Sequence, residues 1–323
     1  MKRLILKTVA FISSLILVCG VLLLLPATPR ASKSLLVAEV KKDSLLANTP
    51  SPRIIFVGGS NLSFGLNSQA IKDSLNMNPI NTAINAEIGM KYILENTLQY
   101  ARKGDIIVII PEYFHFYRDW NHGSVELFRT IFDCNKKNIK LLNINQLYNI
   151  FPYTGKFILS KFDKNEYVNT EESDVYSVNS FNKYGDVDAH WSMDNRHIDF
   201  KLFEMPDTTK YNPKVMAEIK NLVNKLQEKG SIVLISYPCF QETPFNNSKE
   251  AIRKVEKEYL ANGFTIIGNP ERYMMPDSLM FDTSYHLNKQ GVERRTKLLI
   301  EDLKIALNNI DSLEIACPCK LFK

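Results

Sequence analysis

Cysteine, histidine and net charge are all scarce in this chain, and each scarcity removes a class of protein. Of five cysteines in 323 residues, Cys19, Cys134 and Cys239 are scattered and only Cys317 and Cys319 lie together. That gives neither the disulfide framework of a small secreted fold nor the paired CxxC spacing of a structural zinc site. The histidines are equally few. His115, His122, His190 and His197 fall in HFYRDWNH and DAHWSMDNRH, whose spacings match neither a helical HxxxH nor a finger, so solvated or hydrogen-bonded histidines are expected, with no metal and no other cofactor. Forty basic residues against 35 acidic leave +5, and setting aside Lys2, Arg3 and Lys7 leaves 37 against 35, which is no footprint for nucleic acid. No internal repeat is visible. What the chain does have is 45% hydrophobic and 11% aromatic residues, enough for one large core or two small ones.

The first concentrated feature is TVAFISSLILVCGVLLLL, eighteen residues from Thr8 to Leu25 without a charge. As a helix it would be about 27 Å long, close to the thickness of a bilayer core. The run exceeds the usual apolar region of a signal peptide, and PATPRAS after it offers no clean small-x-small cleavage site, which favours a retained anchor over a cleaved signal. Lys2, Arg3 and Lys7 favour a cytoplasmic N-terminus, although Arg30, Lys33, Lys41 and Lys42 sit on the other flank. Large C-terminal domains translocate largely regardless of such flanks. The expected organisation is therefore a cytoplasmic stub and transmembrane signal anchor over residues 1–25, a tether over 26–52 with a short helix in its middle, and an extracytoplasmic body over 53–323.

The body reads as an α/β fold with a parallel sheet. Short β-branched runs at RIIFVGG from Arg53, DIIVIIP from Asp105, SIVLISYP from Ser231 and FTIIGN from Phe264 have the character of buried parallel strands, with a weaker candidate at PINTAIN. Helical patterns lie between them at Met90 to Arg102, Pro213 to Lys229, Ser248 to Ala261 and Asn288 to Leu307. Such alternation implies a sheet covered on both faces. The interval from about His115 to Asp207 breaks it, being rich in aromatic, Asn and Asp residues, and reads as an insertion over the sheet edge or as a separate small domain. Its Trp120 and Trp191, with Tyr113, Phe116 and Tyr117, would form the insertion's own core or stack on sugar rings.

The first strand delivers Gly58, Gly59, Ser60 and Asn61 to its C-terminal end, where open α/β sheets place their ligands. A glycine before the serine allows an unusual backbone angle, and a helix starting after it would aim free N–H groups at a developing oxyanion. GGS alone is equally a tight strand-to-helix turn. Near the other end stands FDTSYHLNKQG, with Asp282 and His286 just before the final helix. A serine hydroxyl needs a base, and an imidazole base needs a partner that fixes its tautomer. Ser60, His286 and Asp282 supply the three parts, with Asp277 as an alternative carboxylate.

These segments resemble the blocks of the SGNH (GDSL-like) hydrolase superfamily, particularly its membrane-anchored extracytoplasmic members that acylate cell-envelope polymers, the DltD-like and alginate O-acetylation proteins. The resemblance spans about Arg53 to Leu307. FVGGSNLSFG is similar to the first block, with Ser60 at the nucleophile and Gly65 at the later glycine; NAEIGM to the second, with Gly89 at the oxyanion glycine; FDTSYHLN to the last, with His286 at the base. The resemblance implies a flavodoxin-like three-layer α/β/α sandwich and acyl-ester chemistry without a metal. Catalysis would use Ser60, His286 and Asp282, with an oxyanion hole from Ser60, Gly89 and Asn61. The implied partners are an acylated glycan or envelope polymer, the lipid bilayer and, for a transferase, a membrane acyl-donor protein. The chain departs from the family in three places. Gly59 stands where aspartate is usual. The third block, normally the source of an asparagine donor, reads PEYFHF with Glu112 and Tyr113, so that Tyr113, Asn61 or Asn85 would have to replace the donor. Three residues rather than two separate Asp282 from His286. Two readings follow, an esterase or O-acyltransferase, and a catalytically silent protein that keeps the fold to bind glycan or scaffold polysaccharide assembly.

Overall fold

The computed structural model describes residues 1–168 and 170–316; Cys317 and Cys319 lie outside the described residues. The chain opens with helix α1 (Lys2–Leu24), none of whose residues is buried. It is long and apolar enough to cross a membrane, with mean hydropathy 2.3. Helix α2 (Ala38–Asn48) follows, then strand β1 (Arg53–Gly58), the short helix α3 (Ser60–Ser63), α4 (Ser68–Leu75), β2 (Asn78–Asn81), α5 (Met90–Tyr100) and β3 (Ile106–Ile110). Between β3 and the next strand the chain forms short helices and 3-10 turns, including α6 (Val125–Arg129), α7 (Ile144–Ile150) and α8 (Tyr153–Ser160), and then the long helix α9 (Pro213–Glu228). Strand β4 (Ile232–Ile235), β5 (Phe240–Gln241), α10 (Glu242–Asn247), α11 (Lys249–Ala261), β6 (Met274–Met275) and α12 (Lys289–Ala316) complete it.

The main sheet is parallel, in the order β2-β1-β3-β4. Every residue of β1 and β3 is buried, because a parallel sheet joined by helical crossovers is covered on both faces. Helices α5 and α9 pack on each other, as do α4 and α12. The weak candidate PINTAIN supplies a real strand, β2. The stronger-looking FTIIGN supplies only a bridge from Ile266 to Ile235, since Gly268 in the left-handed region turns the chain away after Ile267. The order reverses beside β1: β2 lies on one side, β3 on the other. A crevice forms at such a switch point beyond the C-terminal strand ends.

The segment expected as a tether is instead part of the core. Leu36, Ala38 and Leu46 are buried, and Lys42, itself buried, donates to the carbonyls of Ala83 and Gly185. Arg53 at the head of β1 is fully buried and binds Asp105, just before β3, through Nε at 2.8 Å; it also donates to Leu46 O at the end of α2 and to Tyr100 O. One guanidinium therefore joins α2, two strands and the end of α5.

Candidate active site

Ser60 sits where β1 stops and α3 begins. Gly59 is extended, with φ −89° and ψ −162°, so the expected unusual backbone angle is absent. Glycine is required there by crowding: a Cβ on Gly59 would stand 2.6 Å from Glu112 Oε1 and 2.7 Å from Ala86 Cβ. The missing side chain is what lets the Glu112 carboxylate, arriving from the end of β3, reach the start of α3. Glu112 Oε1 accepts from Asn61 N at 2.9 Å and from Ser60 Oγ at 3.2 Å, capping a helix start whose N–H groups have no intrahelical partner. Burial raises the Glu112 carboxyl above its ordinary value, against the opposing hydrogen bonds from Asn61 and Ser60 and the nearby charge of His286.

His286 and Asp282 meet in a tight turn before α12. His286 Nδ1 donates to Asp282 Oδ1 at 2.9 Å, so the three intervening residues are accommodated by the turn. His286 N bonds Thr283 Oγ1 at 3.1 Å and its carbonyl accepts from Phe281 N at 2.8 Å, which fixes the loop. Nε2 carries no hydrogen bond among the described residues, so with the proton on Nδ1 it is the nitrogen open to accept one. The ring stacks on Phe64, with centroids 4.1 Å apart and planes 9° apart, which sets it against the chain four residues beyond Ser60. Burial works against ionisation of Asp282, but hydrogen bonds from His286 and Tyr176, the His286 charge and Arg196 at 3.9 Å outweigh it and hold its pKa below the ordinary value. Asp277 accepts instead from Thr243 Oγ1 at 3.4 Å and makes no bond to His286.

The expected oxyanion donors are unevenly placed. Ser60 N has no acceptor among the described residues, whereas Asn61 N is given to Glu112 and Gly89 N to Ala86 O at 3.0 Å. Gly89 has φ +87°, and a Cβ there would come 2.6 Å from Trp120 O, so it shapes the turn into α5. Asn85 caps that turn through Glu87 N at 2.8 Å, and Tyr113 is buried. Phe116 and Tyr117 are buried too, and Trp120 packs edge-on to Phe114 and His115, which places these aromatics in the core. His115 and His190 are buried and bound to backbone carbonyls.

Three partners escaped sequence reasoning. Tyr176 donates to Asp282 Oδ2 at 2.5 Å and lies 3.2 Å from His286 Nδ1. It falls in an interval without periodicity, so nothing local marks it. Phe64 is equally unmarked. Arg295 on α12 is fully buried and donates to Gly65 O at 3.1 Å and to Asn61 Oδ1 at 3.4 Å. A signal for it existed: it interrupts the apolar stripe of Val292, Leu299 and Leu303. Tyr176 also lines a cavity of about 440 Å³ with Thr28, Arg30, Lys33, Arg129 and Lys156. Ser60 and His286 are not among its walls. No known protein family matches the chain, and no curated protein is significantly similar to it.

Proposed function

We propose that this chain is a membrane-anchored serine esterase or O-acyltransferase of SGNH type, acting on acyl esters of an envelope glycan from the extracytoplasmic side. The observation that carries the reading is the imidazole of His286. Its Nδ1 is committed to Asp282 and its Nε2 is unengaged, at the sheet corner where Ser60 opens a helix. In this reading residues 115–207 are an insertion on a three-layer α/β/α sandwich. Ser60 turns from Glu112 to His286 Nε2, gives up its proton there, and its Oγ bonds to the acyl carbon. The imidazolium, held by Asp282, returns the proton to the leaving oxygen. Water or a sugar hydroxyl then attacks the acyl-enzyme with the same imidazole as base. Ser60 N–H is one donor for the oxyanion, and Glu112 is the second whenever its carboxyl is protonated, the form that burial favours. A fluorophosphonate probe tests the reading directly: covalent labelling of wild-type protein, mapped to Ser60 and lost in Ser60→Ala, is expected.

A second reading has its own observation. Glu112 takes both the Ser60 hydroxyl and the Asn61 N–H, so a carboxylate oxygen occupies the corner where an oxyanion would be bound. This favours a silent protein that binds glycan or scaffolds polysaccharide assembly. Absence of labelling in a folded protein that still binds glycan would decide for it.

A further inference from the structure

Helices α7 and α8 carry a surface that does not suit water. Among the described residues, eight of the twelve exposed large apolar side chains outside residues 1–25 fall between Ile139 and Val168. Ile144, Tyr148 and Phe151, spaced i, i+4 and i+7, are 77%, 78% and 72% exposed on one face, and Leu159 and Phe162 on the next helical stretch are 71% exposed each. Isolated exposed apolar residues are ordinary, but a contiguous cluster marks a contact surface.

The fold indicates what covers it. The same segment borders α1: Leu147, Ile150, the edge of Phe151 and Thr154 line an open cavity with residues between Leu15 and Leu23 and with Phe128 and Phe132 of the body. The far end is tied to the point where α1 ends, because Lys161 Nζ donates to Pro26 O at 3.1 Å and to Asp133 at 3.3 Å. From Leu15 to Leu23 is about 12 Å of helix rise, and Tyr153 to Lys161 is the same. Half of a bilayer core is about 15 Å. If α1 spans, Lys161 lies at the membrane surface, and Phe151 and Thr154, which share a cavity with Leu15 to Leu23, lie at the depth of that stretch of α1. Exposed Lys137, Lys140, Lys156 and Lys164 outnumber the exposed acid Asp163 along this segment, a positive balance that suits anionic headgroups.

We propose that the α7–α8 segment is a second membrane element, seated in the lipid of the leaflet nearest the body, with Ile144, Tyr148, Phe151, Leu159 and Phe162 facing acyl chains. The proposal rests on α1 spanning the bilayer, and it holds for either sidedness. Its consequence is a body fixed in height and tilt, with the cavity beside Tyr176 held at headgroup level.

The test uses the full chain in vesicles of phosphatidylcholine and phosphatidylglycerol, with photoreactive benzoylphenylalanine replacing one residue at a time. Phe11 in α1 reports the span, Phe151 and Leu159 report the α7–α8 segment, and exposed Glu228 on α9 gives the background. Lipid adducts at 11, 151 and 159, each at least about fivefold above position 228, are expected. Adducts at 11 with only background at 151 and 159 would overturn the proposal while leaving the span intact. Cross-links from 151 or 159 to a second copy of the chain in place of lipid would overturn it equally. Background at 11 as well would remove the span and the proposal together.

Discussion

At the residue scale, the candidate chemistry depends on few side chains, and their losses should not be equal. Ser60→Ala and His286→Ala should each lower turnover of an acyl ester by about 10⁴-fold or more, and the double variant should be no worse, because the two act as one unit. Asp282→Asn should retain more activity than either. Tyr176→Phe removes one hydrogen bond to Asp282, worth about 0.5–1.5 kcal/mol, so a loss of up to about tenfold in kcat is expected. Initial rates on a chromogenic acetyl ester separate these outcomes, and full activity in Ser60→Ala would sink the enzyme reading. Glu112 gives the sharpest pH signature. Its carboxyl is raised by burial, and only the neutral form can donate to an oxyanion while the ionised form repels one. Activity should therefore fall as pH rises through that elevated value. Glu112→Gln donates at all pH, so it should abolish the alkaline fall and leave only the low-pH loss common to imidazole bases. An unchanged pH profile in Glu112→Gln would contradict the donor role. The pairing of His286 with Asp282 was legible from residue type and flanking pattern. Glu112 was visible only as a departure, because its partners Ser60 and Asn61 are brought to it by pairing of β1 with β3.

At the element scale, strands were readable wherever β-branched runs lie in the sheet interior, as in β1 and β3. They misled at FTIIGN, where local propensity is high but no continuous neighbour exists beyond Ile235. Helix α2 was expected as a helix, but in a tether and not in the core. Its sequence is polar and lies between proline-rich stretches, yet Glu39, Lys42 and Asp43 are buried because Tyr92, Asn96, Asn135 and backbone carbonyls satisfy them. Such pairing is non-local and leaves no periodic trace. The Arg53–Asp105 pair is the test of this layer. Arg53→Met leaves Asp105 charged and buried without its partner and also abandons the bond to Leu46 O, so a loss of about 3–5 kcal/mol in unfolding free energy is expected. Chemical denaturation measures it, and a change below about 1 kcal/mol would show that α2 and the sheet are not held through this guanidinium.

At the scale of the whole molecule, the apolar helix and the body are joined without a loose connection. Thr28 Oγ1 donates to Glu166 at 2.6 Å, and Thr28 and Ala31 are buried, so a cut near Ala31 would remove part of the fold. The full chain is therefore expected to stay in the membrane fraction through alkaline extraction, with its N-terminus intact and its body open to protease added outside spheroplasts. A mature N-terminus near Ala31 would mean a cleaved signal, and protection of the body would reverse the orientation.

The sequence by itself determined the apolar helix, the parallel α/β character, and the serine and the His–Asp pair at opposite ends of the chain, because periodicity, run length and residue type are local properties. Only the tertiary structure decided that residues 31–48 belong to the core, that Tyr176 and Phe64 hold His286, that Glu112 occupies the corner beside Ser60, and that α8 packs on α1. Each of these depends on partners tens to hundreds of positions away, which meet only when burial of the sheet and its covering helices fixes the path of the chain.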